Sequence, residues 1–276
     1  MKLAVIATSL AAAVAAPLAH AQSTQGKPAE GQRSPFGTQG VPGLTFGTGF
    51  DYTSGKYGSS ETTDILYIPF YARYETGRAI FRLTVPYIRI TGPGNVVGSG
   101  TDRIILPGPG GPRRTESGLG DIVASGFYNV ISERTSVIGL DLGAKVKLGT
   151  ADEAKGLGTG ENDYSLQADF FKPLSGGYTL FGSLGHRWYG NPPGIEFKNV
   201  FYASLGASYR FSAERSAGLA YDYRPEIIPG GGEISELTAY VSQRLSREWK
   251  LQPYAVLGFG RASPDYGVGL QIAYSY

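Results

Sequence analysis

The side chains of this sequence that could do chemistry are few and poorly matched to one another. It has no cysteine, and the only histidine beyond residue 21 is His186. That removes thiol chemistry and most zinc and copper sites, which draw on Cys and His. His186 lies in the run His186-Arg187-Trp188. A membrane lipase would want a serine two positions after the histidine, where Trp188 stands, and Ser183 and Ser204 are the remaining candidate neighbours. The residue reads better as a structural histidine near an interface. Asp152-Glu153 and Glu161-Asn162-Asp163 share one loop and could hold a divalent cation weakly, but they lack EF-hand spacing and read as a solvated loop. The run Gly156-Leu157-Gly158-Thr159-Gly160 has no Lys-Ser/Thr behind it, so it is no phosphate cradle. No catalytic residue, cofactor site or metal site is assigned.

A different set of polar residues does show a pattern. Asp51, Arg73, Arg82, Asp121, Asp141, Lys145, Lys147, Asp169, Arg187, Arg210, Asp222, Arg224, Glu236 and Arg244 each fall within runs where every second residue is apolar. On a strand, successive side chains point to opposite faces. These charges therefore belong to one face, with an apolar face behind them. Residues 138–148 show it most clearly: Ile138, Leu140, Leu142, Ala144, Val146 and Leu148 alternate with Gly139, Asp141, Gly143, Lys145 and Lys147. Charges of both signs on an enclosed face would either brace a wall as ion pairs or line a polar constriction that selects solutes. Their near balance of sign argues against strong selectivity for cations or anions.

The elements that must position this face are strands. About twelve alternating segments follow Leu44, ending with Tyr266 to Tyr276, in which Tyr266, Val268, Leu270, Ile272, Tyr274 and Tyr276 share a face. That is long enough to cross a bilayer as a tilted strand, which takes about 9–11 residues. Connections alternate between short turns (75–78, 131–135, 173–177, 212–215, 246–248) and longer loops (54–63, 91–118, 150–162, 190–198, 226–235). The last link, 261–265, is short where the pattern wants length. Outer-membrane barrels have even strand numbers and this same alternation. An open sheet of twelve strands would leave two unpaired edges, which lipid does not tolerate. The fold class expected is all-β: a transmembrane antiparallel up-and-down barrel of about 12 strands, spanning 43–276.

The N-terminus agrees. Met1-Lys2, an apolar run from Leu3 to Ala16, and Ala19-His20-Ala21 read as a secretory signal peptide over 1–21, cleaved after Ala21. Residues 22–42, rich in Gln, Gly, Pro and Ser, read as a flexible periplasmic lead-in. Glycine at 41 residues suits the crowded inner wall of a small barrel, and 19 Tyr with 13 Phe suit its two aromatic girdles. A net charge of +2 gives no reason to expect a nucleic-acid partner. Loop 91–118 is the longest. It holds Pro-Gly clusters, Arg113-Arg114 and two apolar pairs, Val96-Val97 and Ile104-Ile105. It reads either as an inward-folded constriction or as a disordered surface loop.

Over 62–92 and 117–276 the sequence resembles the meta-pathway of phenol degradation family of exported outer-membrane proteins. Gly118-Leu119-Gly120-Asp121 opens one strand. Lys145-Val146-Lys147-Leu148-Gly149-Thr150 runs into an acidic Gly-rich loop, Asn162-Asp163-Tyr164 opens another strand, and Phe171-Lys172-Pro173-Leu174 marks a turn. His186 departs from the aromatic or hydrophobic residue expected there. The resemblance implies a twelve-strand-like barrel and uptake of small organic compounds. The expected function is an outer-membrane channel for passive passage of small organic molecules. A plugged structural or adhesion barrel and an outer-membrane lipase are the alternatives. Expected partners are outer-membrane lipid, small-molecule solutes, and the barrel-assembly machinery through Tyr266 to Tyr276, with no cofactor.

Overall fold

The computed structural model describes residues 43–108, 110–132 and 136–276. The predicted leader and lead-in lie outside these residues. Strands β1 (Gly43–Gly55), β2 (Thr63–Thr76) and β3 (Ala79–Gly92) open the sheet. The excursion after β3 carries two short strands, β4 (Val96–Val97) and β5 (Ile104–Ile105). Then come β6 (Arg114–Leu119), β7 (Ile122–Ile131), β8 (Gly139–Leu148), β9 (Asp163–Pro173), β10 (Tyr178–Trp188), β11 (Val200–Arg210), β12 (Arg215–Arg224), β13 (Ile234–Arg244), β14 (Trp249–Gly258) and β15 (Tyr266–Ser275). Every sheet pairing is antiparallel between neighbours, and β15 returns to β1, from Thr45 opposite Ser275 to Ser54 opposite Tyr266. Strands β6 and β7 both pair with β3 and are one strand interrupted at Gly120-Asp121. Counted so, the sheet is a closed twelve-stranded barrel. Closure satisfies both edges of the ladder.

The alternation seen in the sequence sets the two faces of the wall. Leu142 is 47 % exposed and Phe201 65 %, whereas Asp141 and Asp169 are 0 % exposed. Leu166, Leu184, Leu205, Leu219, Leu257 and Val268 carry the apolar exterior around the sheet. Burial of polar groups against an apolar outside inverts the order of a water-soluble sandwich. It is the arrangement a wall needs when hydrocarbon lies outside it. Aromatic pairs mark the short-turn end of the belt: Tyr178 stacks on Tyr209 at 4.4 Å between centroids, and Trp249 meets Tyr274 edge-on at 5.0 Å.

The inner wall is made tight by a repeated pairing. Gly47, Gly139, Gly143, Gly185, Gly206, Gly218 and Gly269 stand directly opposite Tyr71, Phe171, Phe127, Tyr202, Phe181, Tyr240 and Tyr254 on the neighbouring strands. In each pair the partner's aromatic side chain occupies the place an added Cβ would take. Glycine thus gives up its side chain so that a cross-strand aromatic can fold back onto the wall. Phe171, Phe181, Ala220, Tyr240, Tyr254 and Val256 form a buried cluster by this means.

Two boundaries differ from expectation. Residues 114–118, read as loop, are strand β6, because the pairing to β3 continues from Tyr87 opposite Leu119 to Gly92 opposite Arg114. The final link is longer than read, from 259 to 265, since β14 stops at Gly258. With that change each of the six connections at the long-loop end is at least as long as any at the other end.

Candidate functional site

The interior has three levels. At the long-loop end the excursion 93–113 turns inward. Val96 pairs with Ile105 and Val97 with Ile104, and a 3-10 turn, Gly100–Asp102, closes the hairpin. Gly98 and Gly100 take φ of +74° and +75°, which lets the chain reverse within a few residues. Val96, Val97, Ile104 and Ile105 are all buried. Val96 and Ile105 join Tyr57, Ile65, Tyr67, Ile88, Ile90, Leu157 and Ile234 of the wall and neighbouring loops. Ile104 packs with Tyr189, Phe197, Val200 and Ile227 on the other side. The loop expectation thus resolves to the inward-folded constriction.

Polar contacts fix the hairpin. Arg103 is 0 % exposed. Its Nε donates to the Ala262 carbonyl at 2.6 Å, its Nη1 to the Gly100 carbonyl at 2.9 Å, and its Nη2 is ion-paired to Glu236 of β13. Arg224 of β12 donates to the Arg103 carbonyl at 3.2 Å and to the Tyr189 hydroxyl at 3.1 Å. Arg187 of β10 pairs with Asp102 at 2.6 Å. Burial pulls the Arg103 guanidinium down to about 10, which leaves it charged at neutral pH. The neighbouring loop adds a strut: Gly98 N–H donates to the Gly156 carbonyl at 3.1 Å, and Leu157 is inserted at 1 % exposure. This is the use of the glycine run 156–160. A cavity of about 30 Å³ remains beneath the hairpin, between Tyr67, Ile88, Val97, Asp121, Lys147 and Leu157.

Below the hairpin the wall is braced. Lys147 donates to Asp121 at 2.8 Å and to Thr159 at 3.2 Å, and it lies 3.5 Å from Asp163. Tyr254 donates to Asp51 at 2.7 Å, and Asn129 to Asp141 at 2.6 Å. Tyr202 donates to Gln167 at 2.7 Å, and Gln167 donates to Asp169 at 2.5 Å. Asp141 faces Asp169 across β8 and β9, and Asp222 faces Glu236 across β12 and β13. Lys145 lies 5.9 Å from the Tyr202 ring.

At the short-turn end Arg73 pairs with Glu75 at 3.0 Å, and Arg82 lies 3.9 Å over the Tyr71 ring. Arg244 and Lys250 stand opposite each other on β13 and β14. Arg210 is exposed at the rim. The predicted inward residues thus divide. Arg187, Arg224 and Glu236 serve the hairpin. Asp121, Lys147 and Asp222 lie near the long-loop ends of the wall, Asp51, Lys145 and Asp169 nearer mid-strand, and Asp141, the third residue of β8, beside a short turn. Arg73, Arg82, Arg210 and Arg244 fall toward the short turns. Lys250 and the inward aromatics were not among the predicted residues. The signal for Lys250 was its place in the inward register of β14, two residues before Gln252 and four before Tyr254.

The chemical candidates are set apart. His186 faces outward between Trp188 and Phe201, at 4.4 and 4.5 Å between ring centroids. Ser183 and Ser204 hydrogen-bond to each other at 2.7 Å on the buried face. The wall therefore separates histidine from serine, and the lipase pairing is not assembled. Asp152 pairs with Lys155 at 3.4 Å, Asn162 accepts from Gly149 N–H at 2.9 Å, and Asp163 turns to Lys147. Among the described residues no three His, Cys, Asp or Glu side chains gather as metal ligands.

The family model described as "Putative MetA-pathway of phenol degradation" matches residues 27–231. No curated protein matches the sequence. Among solved structures, the chain is similar to the β domain of the Bordetella autotransporter Brka, with a TM-score of 0.49 and 12% identity over 86% of this chain and 100% of that one. The CymD monoaromatic hydrocarbon channel gives 0.45 and 12% over 87% and 89%. The P. putida toluene transporter TodX gives 0.40 and 9% over 85% and 88%.

Proposed function

We start from the fact that the chain belongs to the family described as "Putative MetA-pathway of phenol degradation", and we propose that it is an outer-membrane channel for passive passage of small organic molecules. The observation that carries this reading is the wall itself, closed by β15 on β1, apolar outside and charged inside. A closed barrel is one of two structures that can span lipid without stranding backbone groups. Its even strand count, short turns at one end and long loops at the other support a reading with the short-turn end in the periplasm. In this reading residues 1–21 direct export, 22–42 form a periplasmic lead-in, and Tyr266 to Tyr276 is the segment offered to the assembly machinery.

Passage is gated at the outer mouth. The hairpin β4–β5 fills that mouth, so a solute enters when the hairpin moves away from Glu236 and Arg187. The apolar residues beneath it, Tyr67, Ile88 and Leu157, give a small organic molecule a surface to leave water for. No energy source or covalent step is needed.

A filled mouth also suits a plugged structural barrel, and the hairpin is the observation that favours that second reading. Proteoliposome swelling separates the two. The channel reading expects swelling in small organic solutes that exceeds protein-free vesicles and rises when the hairpin is shortened. Swelling equal to protein-free vesicles for both proteins would leave the structural reading. N-terminal sequencing of the outer-membrane protein should begin at Gln22.

A further inference from the structure

Almost the whole exterior of the barrel is apolar or aromatic. Among the described strand residues four charged side chains share the outward register: Asp64 on β2, Arg89 on β3, Lys172 on β9 and Arg215 on β12. Lys172 and Arg215 lie beside short turns. Asp64 and Arg89 lie together at the long-loop end, since Arg89 stands opposite Leu66 and Thr91 opposite Asp64. Residues offset in this way across two strands are about 7–8 Å apart. Counted from Ala79, Arg89 is the eleventh residue of β3, and it is exposed. A tilted strand crosses the hydrocarbon in about 9–11 residues. Arg89 therefore stands at the boundary between hydrocarbon and headgroups, where an outward charge costs far less than at mid-bilayer.

The surroundings of Arg89 are polar on one side and apolar on the other. Toward the loops, Arg113 reaches across the exterior: its Nη2 donates to Asp64 at 2.6 Å and its Nη1 to the Thr62 carbonyl. Asp64 also accepts from Tyr52 at 3.0 Å and from Ser54 at 2.7 Å. Glu116 is answered by Arg114 at 3.8 Å. Among the described residues no carboxylate pairs with Arg89. The Thr91 and Thr115 hydroxyls hydrogen-bond to each other at 2.9 Å, and Ser117 stands opposite Arg89. Toward mid-wall the next outward row is Ile68, Tyr87 and Leu119. Loops 150–162, 190–198 and 226–235 carry the opposite balance, with six carboxylates against Lys155 and Lys198. Basic charge at the outer rim thus gathers over β2, β3 and β6.

We infer that this patch is a docking site for the phosphorylated glycolipid of the outer leaflet, lipid A in its chemistry. Arg89 and Arg113 hold a phosphate, and Ile68, Tyr87 and Leu119 receive the acyl chains below it. A guanidinium fork matches a phosphate through two parallel bonds. The hydroxyls of Thr91, Thr115 and Ser117 offer partners to the sugar, which a glycolipid has and a plain phospholipid lacks. The inference rests on the reading that the long-loop end faces outward, and it does not require that the barrel conduct.

The test is native mass spectrometry of the folded barrel in neutral detergent. The probes are lipid A bisphosphate, the same lipid with both phosphates removed, and phosphatidylglycerol. The bisphosphate should bind at least tenfold more tightly than either of the others. Arg89→Gln should weaken it at least tenfold and leave the dephosphorylated lipid unchanged, with Arg113→Gln acting in the same direction. Arg215→Gln, outward at the far end, should change nothing. Arg89 is exposed, so its loss should not disturb folding; should Arg89→Gln misfold, Arg113→Gln decides the matter. Equal binding with and without phosphate, an unaltered Arg89→Gln, or an equal loss in Arg215→Gln would each overturn the proposal. Phosphatidylglycerol bound as tightly as the bisphosphate would overturn the glycolipid part. Orientation is read separately with Lys56→Cys in the loop after β1. Its reaction with an impermeant thiol reagent on whole cells supports the outer leaflet as the source, and no reaction removes it. Phosphate-dependent binding to a barrel that carries no current would sink the channel reading and leave the site standing; current without such binding would do the reverse.

Discussion

Arg103, at the tip of an outer hairpin, is ion-paired to Glu236 on the barrel wall, and neither side chain reaches solvent: they are 0 % and 2 % exposed. The pair ties the longest excursion of the chain to β13. Breaking a buried pair by removing one partner leaves the other charge uncompensated, a penalty of about 3–5 kcal/mol. That penalty falls on the closed mouth, because an Arg103 released into water is solvated again.

Glu236→Gln should therefore raise the open fraction of the channel. Single-channel recording should show longer or more frequent openings than the parent. The melting temperature of the barrel should change little, since the ladder of β13 is untouched. A variant with unaltered gating would show that the hairpin is held by its apolar contacts alone.

The facing of β8 gives a stability test. Leu142→Arg puts a charge on the exterior at mid-strand and should cost about 2–4 kcal/mol in lipid vesicles. Lys145→Asn changes the interior face and should be much milder. Urea titration in vesicles measures both, and equal costs would mean that the faces are assigned the wrong way round.

The glycine–aromatic pairs give another. Gly206→Ala places a methyl against the Phe181 ring, where overpacking costs about 1–3 kcal/mol. The double variant Gly206→Ala with Phe181→Leu should recover part of that loss by giving the methyl room. The same titration checks it, and additive losses would argue that the ring is not the obstacle.

Much of this fold is legible in the sequence, for a local reason. Period-two alternation over Ile138 to Leu148 or Tyr266 to Tyr276 sorts side chains to two faces whatever the rest of the chain does. Strand β6 was harder to see. Arg114-Thr115-Glu116-Ser117-Gly118 has no alternation, and it is strand because β3 extends beside it. The hairpin was half visible: Val96-Val97 and Ile104-Ile105 stood out as apolar pairs in a polar loop. Which way that loop folds depends on Glu236 and Ala262, far along the chain, and no local pattern carries such a contact. Alternation assigns the charges to one face, but which of them meet depends on strand register around the barrel. Lys250 shows the limit well. Apolar Trp249 and Leu251 flank it and Gln252 and Tyr254 follow on its face, yet only pairing shows that it stands opposite Arg244.

Planar-bilayer conductance of the purified protein, compared with a variant in which 95–105 is replaced by a short Gly-Ser link, tests the central claim most directly. The account predicts discrete current steps in both, with the parent mostly closed and the variant conducting most of the time. A bilayer that stays silent with both proteins, despite their correct folding and insertion, would contradict it.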